Sequence, residues 1–163
     1  MFPKLDPMNQ DADKKYRELL QKAQSCCARD EKCRQQVKQK LLFWGATASQ
    51  SEDILQQLMN ENFIDEDRFA REFALGKFRI NKWGKIKIAL EMMRLHIPEG
   101  SIKGGLEAID RDDYVSMLKK ILLQRLNSLH ETDREVARKK LATFAMGKGF
   151  EGELVWGVVR EIF

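Results

Sequence analysis

The strongest constraint on the fold is an internal repeat of about fifty residues. Three anchor positions, Gly45, His96 and Gly149, lie 51 and 53 residues apart along the chain. Apolar residues occupy the same five offsets around each anchor: −8, −4, +1, +10 and +13. These positions are Val37, Leu41, Ala46, Leu55 and Leu58; Ile88, Met92, Ile97, Leu106 and Ile109; and Leu141, Ala145, Phe150, Val159 and Ile162. Because only 43% of the chain is hydrophobic, this match indicates a repeated core.

The offsets are those of a helix pair. Positions −8, −4 and +1 fall on the inner face of one helix and just past its end, and positions +10 and +13 share one face of the next helix. Glycine at two anchors suits the left-handed residue that commonly ends a helix. His96 must adopt that conformation less comfortably, and Pro98 then favours the start of a new helix.

A further helix is expected before each pair. Its apolar residues are Phe69 and Phe73 in the second repeat, Leu122 and Leu126 in the third, and approximately Leu19 and Ala23 in the first. Acidic residues cluster where helices should begin, which is favourable by about 0.3–1 kcal/mol each. The sequence therefore predicts an all-α chain of three tandem three-helix units, residues 13–62, 63–110 and 111–163, after a flexible extension at residues 1–12. Gly104 and Gly105 fall within a predicted helix and suggest either close packing or a weak helix.

Composition limits the functions that need consideration. The chain has 29 Lys and Arg against 25 Asp and Glu, and this net charge of +4 permits contact with nucleic acid or an acidic protein face. No apolar run approaches the roughly 20 residues of a membrane span, and the N-terminus lacks a secretory h-region. Three clustered cysteines, Cys26, Cys27 and Cys33, favour a reducing cytoplasm over secretion. We therefore expect a cytoplasmic protein with no membrane contact.

Neither catalytic nor cofactor motifs are found. The cysteines lack the C-x₂₋₄-C spacing of zinc ligands, and both histidines, His96 and His130, fall at predicted helix ends or turns. There is no G-x-S-x-G elbow, no GxxxxGK[ST] loop and no GxGxxG loop. We therefore predict no enzyme activity, no catalytic residue, no cofactor and no metal site.

The basic segment, residues 77–87, reads KFRINKWGKIK and contains no acid. Its basic residues are Lys77, Arg79, Lys82, Lys85 and Lys87, with Trp83 among them. Such a run attracts phosphate backbones or an acidic groove. The alternative is a solvated turn with Trp83 packed into the core, and the pattern alone does not decide between the two.

A second basic group lies in the third unit. It consists of Arg138, Lys139 and Lys140, with Arg134 one turn earlier. Nearby acids dilute its charge, so a solvated helix face is the favoured interpretation.

Residues 63–70, FIDEDRFA, resemble the F-[IL]-[DN]-D-x-R-F-A signature of the RecX family of bacterial recombination regulators. Residues 82–88, KWGKIKI, are similar to the K-x-W/Y-G-x-x-K-I stretch that follows it in that family. The resemblance covers about residues 14–163 and is most specific in the middle unit. The departures are His96 in place of the usual glycine, the Gly104–Gly105 pair, and a polar first unit with Cys26 and Cys27.

The resemblance implies an elongated, curved right-handed array of three-helix repeats. It implies binding to RecA recombinase filaments on single-stranded DNA and inhibition of their strand exchange, ATP hydrolysis and coprotease functions, with no catalysis by this chain. The basic segment, the second basic group and Arg68 of the signature are then candidate contacts with DNA or recombinase. Arg68 has a competing structural role, because it can pair with the acids of its own helical turn.

Two other functions stay open on the residues alone. The three-helix units could form an autonomous helical DNA-binding module, which would bind free DNA tightly without recombinase; the filament regulator would bind free DNA only weakly. They could also form a helical-repeat adaptor for another protein. For all three of these functions we expect the protein to be a monomer.

Overall fold

The computed structural model describes residues 7–163 of the chain, and this part contains nine α-helices and no strand. The helices are α1 Pro7–Arg29, α2 Arg34–Phe43, α3 Ala48–Asn60, α4 Glu66–Asn81, α5 Lys85–Arg94, α6 Glu99–Glu107, α7 Arg111–Asn127, α8 Arg134–Gly147 and α9 Gly152–Ile162. The all-α prediction is confirmed. Within the same residues, no helix is both long and apolar enough to cross a membrane.

The first helix begins earlier than expected. Residues 7–12 were assigned to a flexible extension, and this is wrong, because α1 starts at Pro7. Proline suits a first helical turn, because its ring holds φ near the helical value. It also lacks an N–H, and an N–H in the first turn of any helix would have no partner within that helix. The rest of the expected extension, residues 1–6, lies outside the described residues.

Compact units and predicted repeats divide the chain differently. One compact unit ends at Phe69, and the other is Ala70–Phe163, so the division falls inside α4. The predicted boundaries at residues 62/63 and 110/111 instead fall between helices, before α4 and before α7. The division into three domains therefore stays a prediction.

The first compact unit is built on α1, α2 and α3, which pack on one another. Its core consists of apolar side chains that repeat at helical spacing along these helices and in the turns after them. They are Leu19, Ala23, Val37, Leu41, Ala46, Ile54, Leu55, Leu58 and Ile64.

The second compact unit has α5 packed on α6, and α7, α8 and α9 packed on one another. Its largest fully buried side chains are Ile88, Met92, Leu118, Leu122, Leu141, Phe150 and Val155. In α6, Gly105 is buried, and a Cβ there would lie 2.6 Å from the carbonyl oxygen of Ala70, whereas a Cβ on Gly104 would meet open space. Of the two expected alternatives, close packing is thus found at Gly105, whereas Gly104 makes no close contact.

The three repeat anchors end their helices in the same way. Gly45, His96 and Gly149 have positive φ values of 88°, 56° and 94°. The next residue donates its N–H to the carbonyl at offset −4 in every repeat, in the bonds Ala46→Leu41, Ile97→Met92 and Phe150→Ala145. This is the Schellman arrangement. Thirteen of the fifteen matched apolar positions are buried, and the other two, Leu106 and Ile162, are half-buried. The repeat is therefore confirmed as a repeat of structure.

A candidate binding surface at the start of α5

The basic segment covers the last turn of α4, a short turn and the first residues of α5. The chain reverses at Lys82, whose φ is 56°, and the Trp83 N–H donates to the Lys77 carbonyl at 3.2 Å. Only a few non-glycine residues adopt such a φ. The turn brings the end of α4 and the start of α5 together, so that basic residues from both helices share one surface.

Two backbone hydrogen bonds hold the start of α5 against the end of α8. The Gly84 N–H donates to the Lys148 carbonyl at 2.8 Å, and the Ile86 N–H donates to the Gly149 carbonyl at 3.0 Å. The first N–H groups of a helix and its last carbonyls have no partner within their own helix, and these two ends satisfy each other. Their opposite partial charges also attract. The position of the basic segment is therefore set by backbone, independently of its side chains.

Tyr114 of α7 also contacts the turn between α4 and α5. Its buried hydroxyl accepts a hydrogen bond from the Lys85 N–H at 2.9 Å and donates one to Glu151 at 2.6 Å. The ring packs between Phe78 and Phe150, with centroid separations of 5.8 and 5.0 Å. Burial, and then the bond to Glu151, raise the pKa of Tyr114 above its ordinary value, so the hydroxyl stays protonated. The role of Tyr114 is not apparent from the sequence pattern; the available signal was that a buried tyrosine hydroxyl usually has a partner.

Three lysines of the basic segment lie over aromatic rings. The Lys77 and Lys87 ammonium groups are 5.0 and 4.4 Å from the centroid of Trp83, and the Lys85 group is 5.0 Å from that of Tyr114. These distances fall within the range of cation–π attraction. Trp83 itself is half-buried. It is therefore neither packed into the core nor free, and it orders two of the positive charges.

The charge of the basic segment has no neutralising carboxylate in the part of the chain that the structure describes. Among the described residues, no carboxylate oxygen lies within 4.0 Å of the charged nitrogens of Lys77, Arg79, Lys82, Lys85 or Lys87. The predicted basic residues of this segment are thus brought together on one turn with their charge available.

The second basic group is largely paired. Arg138 contacts Glu135 at 2.6 Å and Lys140 contacts Glu131 at 2.6 Å, while Lys139 is exposed. The bond from Lys140 lowers the pKa of Glu131, which keeps that carboxylate charged. This pairing supports the interpretation of the group as a solvated helix face.

Arg68 is held by its own unit. Its Nε donates to Glu31 at 2.8 Å and its guanidinium also donates to the Asn62 carbonyl at 3.1 Å. Asp65 accepts the Arg68 N–H at 2.9 Å and so caps α4, while Glu66 accepts the Arg34 N–H at 2.7 Å at the start of α2. Burial raises the pKa of Glu66. These bonds support a structural role for the FIDEDRFA signature.

The described residues contain no group of three or more His, Cys, Asp or Glu side chains that could hold a metal ion. Cys26 and Cys33 are buried and Cys27 is half-buried. Burial, with a smaller effect of the adjacent Cys26, raises the pKa of Cys27 to about 11. A thiol with that pKa is protonated at neutral pH and is a poor nucleophile or ligand.

Together, these features define an all-helical protein of three-helix repeats with a basic turn in its middle repeat. A family profile described as "RecX, second three-helix domain" matches residues 65–106. The regulatory protein RecX of Clostridium acetobutylicum is 28% identical over 69% of this chain and 53% of its own length, and that of Clostridium tetani is 31% identical over 80% and 61%. The crystal structure of RecX from Lactobacillus salivarius superposes with a TM-score of 0.84 at 14% identity, covering 92% of this chain and 97% of that one.

The chain is similar to RecX proteins over most of its own length, and to the second three-helix domain of that family at residues 65–106. It spans between about half and two thirds of the length of the two clostridial relatives, which are named as regulatory proteins. The solved structure supports the fold.

Proposed function

We propose that this chain binds RecA recombinase filaments on single-stranded DNA and lowers their ATP hydrolysis, strand exchange and coprotease activity. The observation that carries the proposal is the unneutralised basic turn of residues 77–87, held in place by Gly84 and Tyr114. Similarity to proteins named as regulators agrees with it. The protein acts by binding and performs no reaction of its own, as a monomer in the cytoplasm where the recombinase works.

The chemistry of the turn suits a nucleoprotein filament. Phosphates attract Lys and Arg, and neutralising them releases condensed counterions, which supplies most of the affinity at low salt. Here Trp83 already orders Lys77 and Lys87, so less side-chain freedom is lost on binding. Acidic recombinase residues in the filament would use the same charges. Of the candidate residues, those of the basic segment are better placed for this role than the paired Arg68, Arg138 and Lys140.

The test is recombinase ATP hydrolysis on single-stranded DNA, titrated with wild type and with the Lys82→Glu/Lys85→Glu/Lys87→Glu variant. Glutamate at Lys85 and Lys87, in the first turn of α5, suits the helix dipole, and Lys82→Glu exchanges one non-glycine residue for another at positive φ, so this variant should fold. A matched control is Lys103→Glu/Lys120→Glu/Arg160→Glu, which makes the same charge change at three exposed positions elsewhere.

We expect wild type and the control to inhibit and the basic-segment variant to lose inhibition. If wild type in excess left both filament and ATP hydrolysis unchanged, the proposed function would be wrong. Equal inhibition by all three proteins would keep the function and move the interface away from the basic segment.

A further inference from the structure

The first compact unit exposes two adjacent aromatic side chains at the end of α2. Phe43, the last residue of the helix, is 88% exposed, the largest exposure among the large apolar side chains of the described residues. Trp44 follows as the C-cap and is half-buried. A single exposed apolar residue is ordinary. Two adjacent rings, one almost fully in solvent, form a surface on which a flat ligand can stack.

Trp44 lines two clefts, and each of them also contains basic side chains. The first, of about 450 Å³, is formed by the two rings with Lys32, Gln36, Gln39 and Lys40, and no carboxylate lines it. The second, of about 540 Å³, is lined by Trp44 with Lys22 and Arg29 and also by Glu18. The Lys22 ammonium lies 5.4 Å from the Trp44 ring centroid. Both volumes are in the range of ligand sites.

The chemistry of this surface favours unpaired nucleic acid. Single-strand binders combine aromatic rings, on which bases stack, with cations that follow the phosphates. Lys40 is exposed, and Lys32 has one exposed partner, Asp30 at 3.4 Å, which is a weak pair. A peptide partner would instead require an apolar floor, whereas four of the six residues that line the first cleft are lysines and glutamines.

We propose that the aromatic platform, Phe43 and Trp44 with Lys22, Lys32 and Lys40, binds an unpaired base of single-stranded DNA and its flanking phosphates. The platform lies in the first unit and needs no recombinase, so it goes beyond the proposed function and is a site separate from the basic segment. The base stacks on the exposed face of Phe43 and against Trp44. The lysines hold the phosphates on either side of that base.

The test measures binding of wild type and variants to a fluorescent oligothymidylate of about 16 nucleotides by fluorescence anisotropy. A strand of equal length with abasic positions keeps the phosphates and removes the stacking. Phe43→Ala removes the ring, Phe43→Leu keeps an apolar side chain without a ring, and Phe43→Tyr restores a ring. Ile80→Ala, at another highly exposed apolar residue, is the control for loss of exposed apolar surface.

Wild type, Phe43→Tyr and Ile80→Ala should bind alike, and Phe43→Ala and Phe43→Leu should each bind about 5- to 100-fold more weakly. Wild type should also bind the abasic strand more weakly. Lys40→Gln should lower the dependence of log affinity on log salt by about 0.7, the value for one phosphate contact on a single strand.

Three results would overturn the inference. The first is no binding of wild type to the oligothymidylate. The second is equal affinity for the normal and abasic strands, which would mean that binding depends on charge alone. The third is retention of affinity by Phe43→Leu with loss in Phe43→Ala, which would mean an apolar contact and point to a protein partner. Inhibition of recombinase ATP hydrolysis by the same variants tests the proposed function separately. Inhibition through the basic segment does not require Phe43, so failure of this inference would leave inhibition unchanged.

Discussion

Gly84 and Gly149 lie in direct backbone contact, so that a Cβ added to Gly84 would come within 2.2 Å of the Gly149 carbonyl carbon. A Cβ added to Gly149 would in turn lie 2.4 Å from the Cβ of Lys87. Both glycines are therefore required by the docking of α5 on the turn after α8. Gly84 belongs to the KWGKIKI stretch, and its role is to let two backbones meet.

We expect Gly84→Ala to lower the free energy of unfolding by at least about 1–3 kcal/mol, because the clash is with backbone that cannot move aside. Urea unfolding followed by circular dichroism measures this change. Gly104→Ala is the control, since a Cβ there meets nothing within 4 Å and replaces glycine inside a helix. It should raise stability by about 0.5–1 kcal/mol. Equal stability of the two variants would contradict the docking described here.

His96 holds a conformation that glycine holds in the other two repeats. Its φ is 56°, its side chain is exposed, and left-handed residues with a Cβ are strained by roughly 1–2 kcal/mol. His96→Gly should therefore raise the free energy of unfolding by about 0.5–1 kcal/mol, after the entropy of glycine in the unfolded chain is subtracted.

The reverse change checks that explanation. Gly45 has φ 88° and its nearest neighbour for a Cβ is the flexible end of Lys15 at 3.7 Å, so Gly45→Ala adds strain with little crowding. It should lower stability by about 1–2 kcal/mol. If His96→Gly proved destabilising in the same urea experiment, the side chain of His96 would have a role other than ending α5.

Sequence was sufficient for the helices and the repeat, since Val37, Ile88 and Leu141 are buried through local periodicity that a single chain displays. It was insufficient where the cause lies far away along the chain. Gly84 is constrained by Gly149, and the Lys85 N–H by Tyr114, and neither pairing leaves a local pattern.

Sequence was also insufficient to predict which charged residues are paired, because the partner of each is set by the fold. Arg138 and Lys85 look alike as basic residues in a sequence, and only the fold places Glu135 beside Arg138 and leaves Lys85 over a tyrosine ring. The start of α1 at Pro7 was missed for a different reason, because proline is equally typical of a loop and of a first helical turn.

Alkaline pH should destabilise the protein through Cys27. Its pKa in the folded chain is about 11, above the ordinary 9.0, because burial disfavours the thiolate. The stabilisation from the neutral buried thiol is therefore complete below about pH 9 and is lost as the pH rises through about 11. The raised pKa of Tyr114 adds a further loss above its ordinary value of 10.0.

Urea midpoints measured across this pH window test the effect, with Cys27→Ala as the partner variant. We expect the midpoint of wild type to fall between pH 9.0 and about 11 and that of Cys27→Ala to fall less. Cys33, whose pKa burial also raises, is retained in both proteins. Superimposable pH profiles would show that Cys27 titrates in the folded protein as it does in the unfolded chain.

Substitutions of Arg68 and Arg79 should distinguish a role in stability from a role in binding. Arg68→Ala deprives Glu31 and the Asn62 carbonyl of their donor, and one oxygen of Glu31 is already buried without a hydrogen-bond partner. We expect a loss of about 1–2 kcal/mol in the free energy of unfolding, moderated because the guanidinium is partly exposed. Arg79→Ala, at an exposed residue of the basic segment, should leave stability within about 0.5 kcal/mol of wild type.

The effects of the two substitutions on inhibition of recombinase ATP hydrolysis should be the reverse of their effects on stability. Measured per folded protein, Arg68→Ala should inhibit as wild type does, because its side chain is committed to Glu31, Asp65 and Asn62. Arg79→Ala should inhibit less, because its charge has no carboxylate within 4.0 Å among the described residues and is free to meet a phosphate. Full stability with lost inhibition in Arg68→Ala would instead make Arg68 an interface residue and leave the signature with a direct part in binding.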